Sequence, residues 1–297
     1  MTDTEYLNAV LRDQTFAPGC DELKTLQEHR KEVEQLLLKH FEESTPTIKY
    51  GGSRAKGTMI KESYDLDVVC YFPRDDNAAG ENLKEIYENT ETALRGEYFT
   101  ERKTSAIRLK DPKNFTDFHI DVVPGRYVDG DDGVVFLYQS SGDKDRLKTN
   151  PEKHIEHVRD SGLQDPIKLM KLWRVRNGIA VKTFALELLV IELLKHRKKA
   201  TLPNQLLHVF TTFRDDKENL SIEDPANPSG NDLSELLNET VKSLLSSAAA
   251  TTLRQIEGTG WKTVFGPVPE EDRTAALENI AISIPAASRQ KPWAGVR

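Results

Sequence analysis

The chain has 297 residues, a formal net charge of −7, 37% hydrophobic and 30% charged residues, the make-up of an ordinary globular protein with one large or two small domains. The acidic balance argues against an obligate binder of long nucleic acid, which carries a basic face, but leaves room for a local basic cleft that takes a triphosphate. Two cysteines exclude a disulfide framework and a cysteine-rich zinc site, no apolar run reaches the roughly 18 residues of a membrane helix, and the acidic N-terminus is no signal peptide, so a reducing cytoplasm is the expected location.

Taken in chain order, the first predicted element is a long amphipathic helix over 21–43, where Leu23, Leu26, Val33, Leu37 and Phe41 recur at helical spacing between charges. A short strand, 47–50, runs into Gly51-Gly52-Ser53. Residues 65–72 (DLDVVCYF) alternate and are rich in β-formers, which predicts a strand stopping at Pro73. A helix over 80–95 follows, then strands over 105–109 and 118–123 joined by the turn-prone DPKN at 111–114. After Pro124 a Gly/Asp-rich turn over 129–133 leads into VVFLYQ and a polar stretch. From about residue 151 the spacing predicts helices over 151–160, 165–177, 181–197, 203–213, 232–247 and 270–279. This order predicts a mixed α/β half over 1–150 that includes the 21–43 helix, a helical half over 151–285, and an extended tail over 286–297.

Chemistry concentrates in GGSRAKGTMIKESYDLDVVCYF, residues 51–72. Gly52 lets the backbone approach a ligand, and Ser53 adds a hydroxyl and an amide at the start of a short helix whose N-terminus favours an anion. Twelve residues on, Asp65 and Asp67 alternate along a strand and so project from one face. Two adjacent carboxylates repel unless a cation lies between them, and hard oxygen ligands at this spacing suit Mg²⁺ or Mn²⁺ bound to phosphate oxygens. Asp121 lies in a second apolar strand pattern (FHIDVVP), and a neighbouring strand brings it beside the pair. Three carboxylates can hold two metals, with Asp121 nearest the acceptor hydroxyl. Each piece alone is a common surface feature; the ordered set of strand, glycine-serine, spacer, DxD and later Asp is specific.

That set resembles the signature of the DNA polymerase β-like nucleotidyltransferase superfamily. GSRAKGTMIKESYDLDVV and HIDVVPGR resemble the oligoadenylate synthetase and cyclic GMP–AMP synthase branch, and within it the bacterial CD-NTases of anti-phage signalling. The resemblance extends into the helical half: DPIKLMKLWRV carries Lys171 where the family contacts the triphosphate tail, KTFALELL carries Thr183 where a hydroxyl contacts terminal phosphates, and EDPANPSGN carries Asp224 and Asn231 in a loop near the base. It implies a polymerase β-like core with a mixed sheet, an oligoadenylate-synthetase-like helical domain, two Mg²⁺ ions that Mn²⁺ can replace, and nucleoside triphosphates, ATP among them, joined into a cyclic di- or trinucleotide second messenger. A regulatory protein partner is compatible with it; a membrane is not implied. The zinc insertion of the animal DNA sensor and the basic stripe of the animal RNA-activated synthetases are missing.

Plainer readings stand beside these. Lys171 also reads as a solvated helix lysine, Thr183 as a helix start, Asp224 and Asn231 as turn residues, Trp173 as core, and Glu187 as a carboxylate satisfied by backbone or arginine. His119 shares a strand face with Asp121, but a hard-oxygen site has no need of it. The rival functions are a terminal nucleotidyltransferase acting on RNA or a small acceptor, and a nucleotide-binding module that has lost catalysis; the intact Asp65, Asp67 and Asp121 count against the second.

Overall fold

A computed structural model of the protein describes residues 1–110, 119–128, 133–142, 144–227 and 230–269. The predicted turn at 111–114, most of that at 129–133, the helix over 270–279 and the tail over 286–297 lie outside the described residues.

The chain opens with helix α1 (Asp3–Gln14), which the hydrophobic spacing did not announce, although its start signal was there: Thr2 and Glu5 form a reciprocal capping box. Helix α2 (Asp21–His40) follows, and strand β1 (Thr47–Tyr50) leads into the five-residue helix α3 (Gly52–Lys56). Strand β2 (Leu66–Phe72) stops at Pro73, and α4 (Leu83–Arg95) begins on an Asn82 cap. Strands β3 (Phe99–Arg102), β4 (Ile107–Lys110), β5 (Ile120–Tyr127), β6 (Val135–Tyr138) and β7 (Arg146–Thr149) complete the sheet. Strand β5 runs through Pro124 rather than ending before it. At that point β4 has stopped pairing, at Val122, and β6 starts only at Arg126, so one edge of β5 lacks a ladder partner where proline would disrupt one.

Among the described residues the sheet has the order β1-β2-β5-β4-β3, with β6 and β7 extending from β5. Strands β2 and β5 are parallel and central; every other pairing is antiparallel, so the sheet is mixed as expected. Alternation gives its faces different duties. Leu66, Val68, Cys70 and Phe72 of β2 join Ile120 and Val122 of β5 in a core closed by Leu26, Val33 and Leu37 of α2 and Ile86 and Leu94 of α4. The opposite face carries Asp67, Val69 and Tyr71 beside Asp121 and Val123.

The second half is helical: α5 (Pro151–Ser161), α6 (Gln164–Arg176), α7 (Thr183–Leu194), α8 (Leu202–Asp215), α9 (Glu239–Thr259) and α10 (Lys262–Phe265). The expected helix over 232–247 is displaced. Residues 234–237 form a single 3-10 turn, and Asn238 then caps α9 through Val241 N. The Ala/Ser/Thr run that follows gives α9 a narrow buried stripe of Leu245, Ala249 and Thr252, too short of large apolar residues to show by periodicity. Helix α7 is buried nearly all round and forms the axis of a core with Trp173, Phe210 and Phe213. Tyr6, Leu7, Val10 and Leu11 of α1 belong to this helical core, not to the core under the sheet. No helix among the described residues is long and apolar enough to cross a membrane.

Candidate active site

Register brings the carboxylates together. Asp67 and Asp121 are direct partners in the parallel β2–β5 ladder, and Asp65 lies two residues before Asp67, at the mouth of β2. One ligand atom each from Asp65, His119 and Asp121 lies within 4.8 Å of the other two. His119 therefore stands closer to the acidic group than the sequence suggested, with Nε2 3.5 Å from Asp65 Oδ2. Asp121 is gripped by Arg108 from β4: Nε donates to Oδ1 and Nη2 to Oδ2, both at 2.8 Å.

Crowding shows in the protonation. Burial, then Asp65 and Asp121, push the Asp67 carboxyl up to about 7 against the opposing pull of Lys56 and Lys171. Burial also raises Asp65, but the hydrogen bond and charge of His119, with Lys171 and Arg108, outweigh it and leave that carboxyl below its ordinary value. A cluster that forces one of its members to hold a proton near neutrality is one that a divalent cation relieves.

The glycine-serine segment abuts these carboxylates. Gly51 N donates to Asp67 O at 2.9 Å, and Gly52, at φ +50°, lies so near the side chain that a Cβ there would stand 1.6 Å from Asp67 Oδ2. The Ser53 hydroxyl is buried and has no hydrogen-bond partner among the described residues, the condition of a group whose partner is brought by a ligand. A cavity of about 470 Å³ opens beside them, lined by Tyr50, Gly52, Lys56, Asp67, Tyr71 and Phe184 among others. That volume suits a nucleotide-sized ligand, and its walls offer aromatic faces as well as cations.

A buried polar knot ties this loop to the helices. Lys56 Nζ donates to Glu187 Oε2 at 2.7 Å and the Thr58 hydroxyl to Glu187 Oε1 at 2.9 Å, while Lys171 Nζ donates to Thr58 O at 2.8 Å. Glu187 thus has lysine and threonine partners, not the backbone or arginine partners expected of it. Lys171 is buried rather than solvated; burial lowers its pKa, and its Nζ props the loop through Thr58 O. Thr183 is the first residue of α7, and its hydroxyl accepts from Arg174 Nη1 at 2.9 Å. Asp224 and Asn231 do close their own loop: Asn231 Nδ2 donates to Asp224 Oδ2 at 2.7 Å and to Lys148 O at 3.2 Å. Asp224 also touches the cavity wall, because its Oδ1 lies 3.2 Å from Nε2 of His154, which lines it. The structure therefore gathers Gly52, Ser53, Asp65, Asp67 and Asp121, sets Lys171 directly behind them, and holds Thr183, Asp224 and Asn231 in an outer ring. Lys56, Arg108 and His154 escaped the sequence reading. Lys56 was visible in RAKGT as the loop's second cation; Arg108 shows only once the β4–β5 register is known.

Residues 1–161 match the family described as Second Messenger Oligonucleotide or Dinucleotide Synthetase domain, SMODS. The chain belongs to the SMODS family. It is accordingly a nucleotidyltransferase of the cyclic oligonucleotide synthase family. Solved structures share this fold along almost the whole chain. CdnC of E. coli MS115-1 with ATP superposes with a TM-score of 0.69 at 18% identity, covering 90% of this chain and 98% of that one; CdnC has also been solved in complex with HORMA-deltaN. CdnG of Bradyrhizobium diazoefficiens with GTP gives 0.66 at 14% identity over 95% and 99%. The cyclic AMP-GMP synthase DncV of Vibrio cholerae gives 0.61 at 14% identity over 90% and 85%. Among curated proteins, no sequence matches.

Proposed function

We propose that this SMODS protein joins nucleoside triphosphates, ATP among them, into a cyclic di- or trinucleotide, with two Mg²⁺ ions that Mn²⁺ can replace. The observation that carries the reading is the meeting of Asp65, Asp67 and Asp121 beside Gly52 and a cavity of about 470 Å³. The residues fit a divalent cation, since ligand atoms of Asp65, His119 and Asp121 converge, Asp67 pairs with Asp121 in the ladder, and burial together with the charges of Asp65 and Asp121 lifts Asp67 to about 7. Asp65, Asp67 and Asp121 would hold the metals, with His119 beside Asp65. When bound, the metals supply charge stabilisation at the α-phosphate and lower the pKa of the attacking ribose hydroxyl.

The chain's own groups do the rest. Gly52 and the Ser53 hydroxyl cradle the phosphates, Lys56 offers an ammonium on the cavity wall, and Lys171 props the loop that carries them. Tyr50 and Phe184 give the cavity aromatic walls beside which a base would lie. Asp224 and Asn231 brace the wall through His154, and Thr183 lies next to Phe184. Bacterial anti-phage signalling in the cytoplasm, a regulatory protein partner and independence from long nucleic acid complete the proposal; support comes from SMODS membership, from CdnC's complex with HORMA-deltaN and from the net charge of −7.

The test is incubation with α-labelled triphosphates and Mg²⁺ or Mn²⁺, then phosphatase and mass analysis. A labelled, phosphatase-resistant ring made from triphosphates alone is expected. Label found only in added RNA would overturn the cyclic product in favour of tailing.

A further inference from the structure

Arg108 takes hold of one carboxylate of the acidic group with both ends of its guanidinium. It stands directly opposite Asp121 in the antiparallel β4–β5 ladder, so the two side chains share a sheet face by register. Its flanking residues, Ile107 and Leu109, are buried in the core under the sheet and fix which way β4 faces. The two bonds, 2.8 Å each, use one oxygen apiece, the fork geometry that lysine cannot reproduce. Asp121 and Arg108 keep 15% and 25% side-chain exposure, so the pair lies at the rim of the site and not beneath it.

A carboxylate oxygen has two lone pairs, so Asp121 can serve a guanidinium and a divalent cation together. The two positive groups then lie on one small anion and repel each other. We propose that Arg108 is a built-in competitor for the metal at Asp121, holding divalent-cation affinity down so that metal binds firmly only when a triphosphate brings its own negative charge. The same guanidinium offsets the repulsion among Asp65, Asp67 and Asp121 when no other cation does. Arg108 is thus a positioning residue with two opposed effects: it steadies the acidic cluster and weakens its hold on metal. The inference rests on reading the three aspartates as metal ligands.

The experiment titrates Mn²⁺ into the full-length protein and reads free Mn²⁺ by electron paramagnetic resonance, with and without a non-hydrolysable ATP analogue. Arg108→Gln should tighten Mn²⁺ binding without nucleotide by about three- to tenfold, since a like charge near the ion has gone. The gain in affinity on adding the analogue should shrink in step. Arg108→Lys keeps the charge but not the fork, so it should tighten Mn²⁺ binding less than Arg108→Gln does; if the glutamine variant folds poorly, a lysine variant that binds Mn²⁺ no more tightly than wild type overturns the role. In EDTA the glutamine variant should melt below wild type, and Mn²⁺ should close the gap. Wild type that binds Mn²⁺, with Arg108→Gln binding it equally or more weakly, overturns the competitor role and leaves the metal reading intact. Wild type that binds no Mn²⁺ even with the analogue overturns the metal reading, and this inference with it.

Discussion

At Gly52 the backbone approaches the Asp67 carboxylate so closely that the smallest side chain has nowhere to go. Gly52→Ala adds a Cβ at an overlapping distance and strains a positive φ, so Asp67 must move. Displacement of one carboxylate by about an ångström is expected to cost roughly 100-fold in turnover, while the backbone strain, about 1–2 kcal/mol, lowers the melting temperature by only a few degrees. A turnover close to wild type would remove Gly52 from the machinery. The acidic pair makes the complementary prediction. Asp65→Asn with Asp67→Asn should abolish product yet leave stability in EDTA close to wild type, because losing the Asp67 charge, which burial and neighbours penalise, offsets losing the Asp65 charge, which His119 favours. Calorimetry and product analysis on the same preparation check both halves.

The element that matters most is the junction of α3, α6 and α7, where Glu187 accepts from Lys56 and Thr58 while Lys171 donates to Thr58 O. Glu187→Ala leaves Lys56, with only 11% of its side chain exposed, facing a lost carboxylate. Breaking such a pair by removing one partner costs about 3–5 kcal/mol, and the urea midpoint should fall accordingly. Lys56→Met with Glu187→Leu should recover much of that loss but none of the activity. A second junction joins β7, α5 and the 224–231 loop through His154, whose Nε2 lies 3.2 Å from both Thr149 Oγ1 and Asp224 Oδ1. Burial outweighs Asp224 and pushes the imidazole from 6.5 down to about 4. The unfolded chain then takes up a proton that the folded one refuses. Stability is complete above about pH 6.5 and should fall by up to about 1.4 kcal/mol per pH unit towards pH 4. Chemical unfolding across that window should show a flatter profile for His154→Gln.

Legibility in the sequence divides along the same lines. Strand β2 was readable because one run holds both the alternation and the DxD, and α2 because large apolar residues, Leu26, Val33 and Leu37 among them, recur at helical spacing. Strands β3 and β7, FTER and RLKT, carry too few apolar residues to announce themselves and exist because β4 and β6 pair with them. Arg108 and Glu187 illustrate the limit for the site. Each is an ordinary charged residue until pairing or packing, both long-range, supplies its partner.

For the whole molecule, the division into sheet and helices is crossed by α1. Tyr6, Leu7, Val10 and Leu11 are buried in the helical core although they lie at the start of the chain. Deleting residues 1–16 should therefore destabilise the helical half more than the sheet, by on the order of 5 kcal/mol or more, given about 1.5–3 kcal/mol for each large apolar side chain lost. Hydrogen exchange read peptide by peptide would locate the effect: early exchange in α6 and α8 with β2 and β5 protected is expected, and uniform loosening would count against it.

That same helix has a consequence in time. Of the helices it packs against, α8 and α6, even the nearer in sequence, α6, begins about 150 residues further along the chain. At roughly 5–20 residues per second, a ribosome needs on the order of ten to thirty seconds to deliver it. Throughout that interval the sheet half can assemble behind α1, but α1 itself cannot dock. Its apolar stripe is then open to whatever holds nascent chains until the helices that cover it have been made.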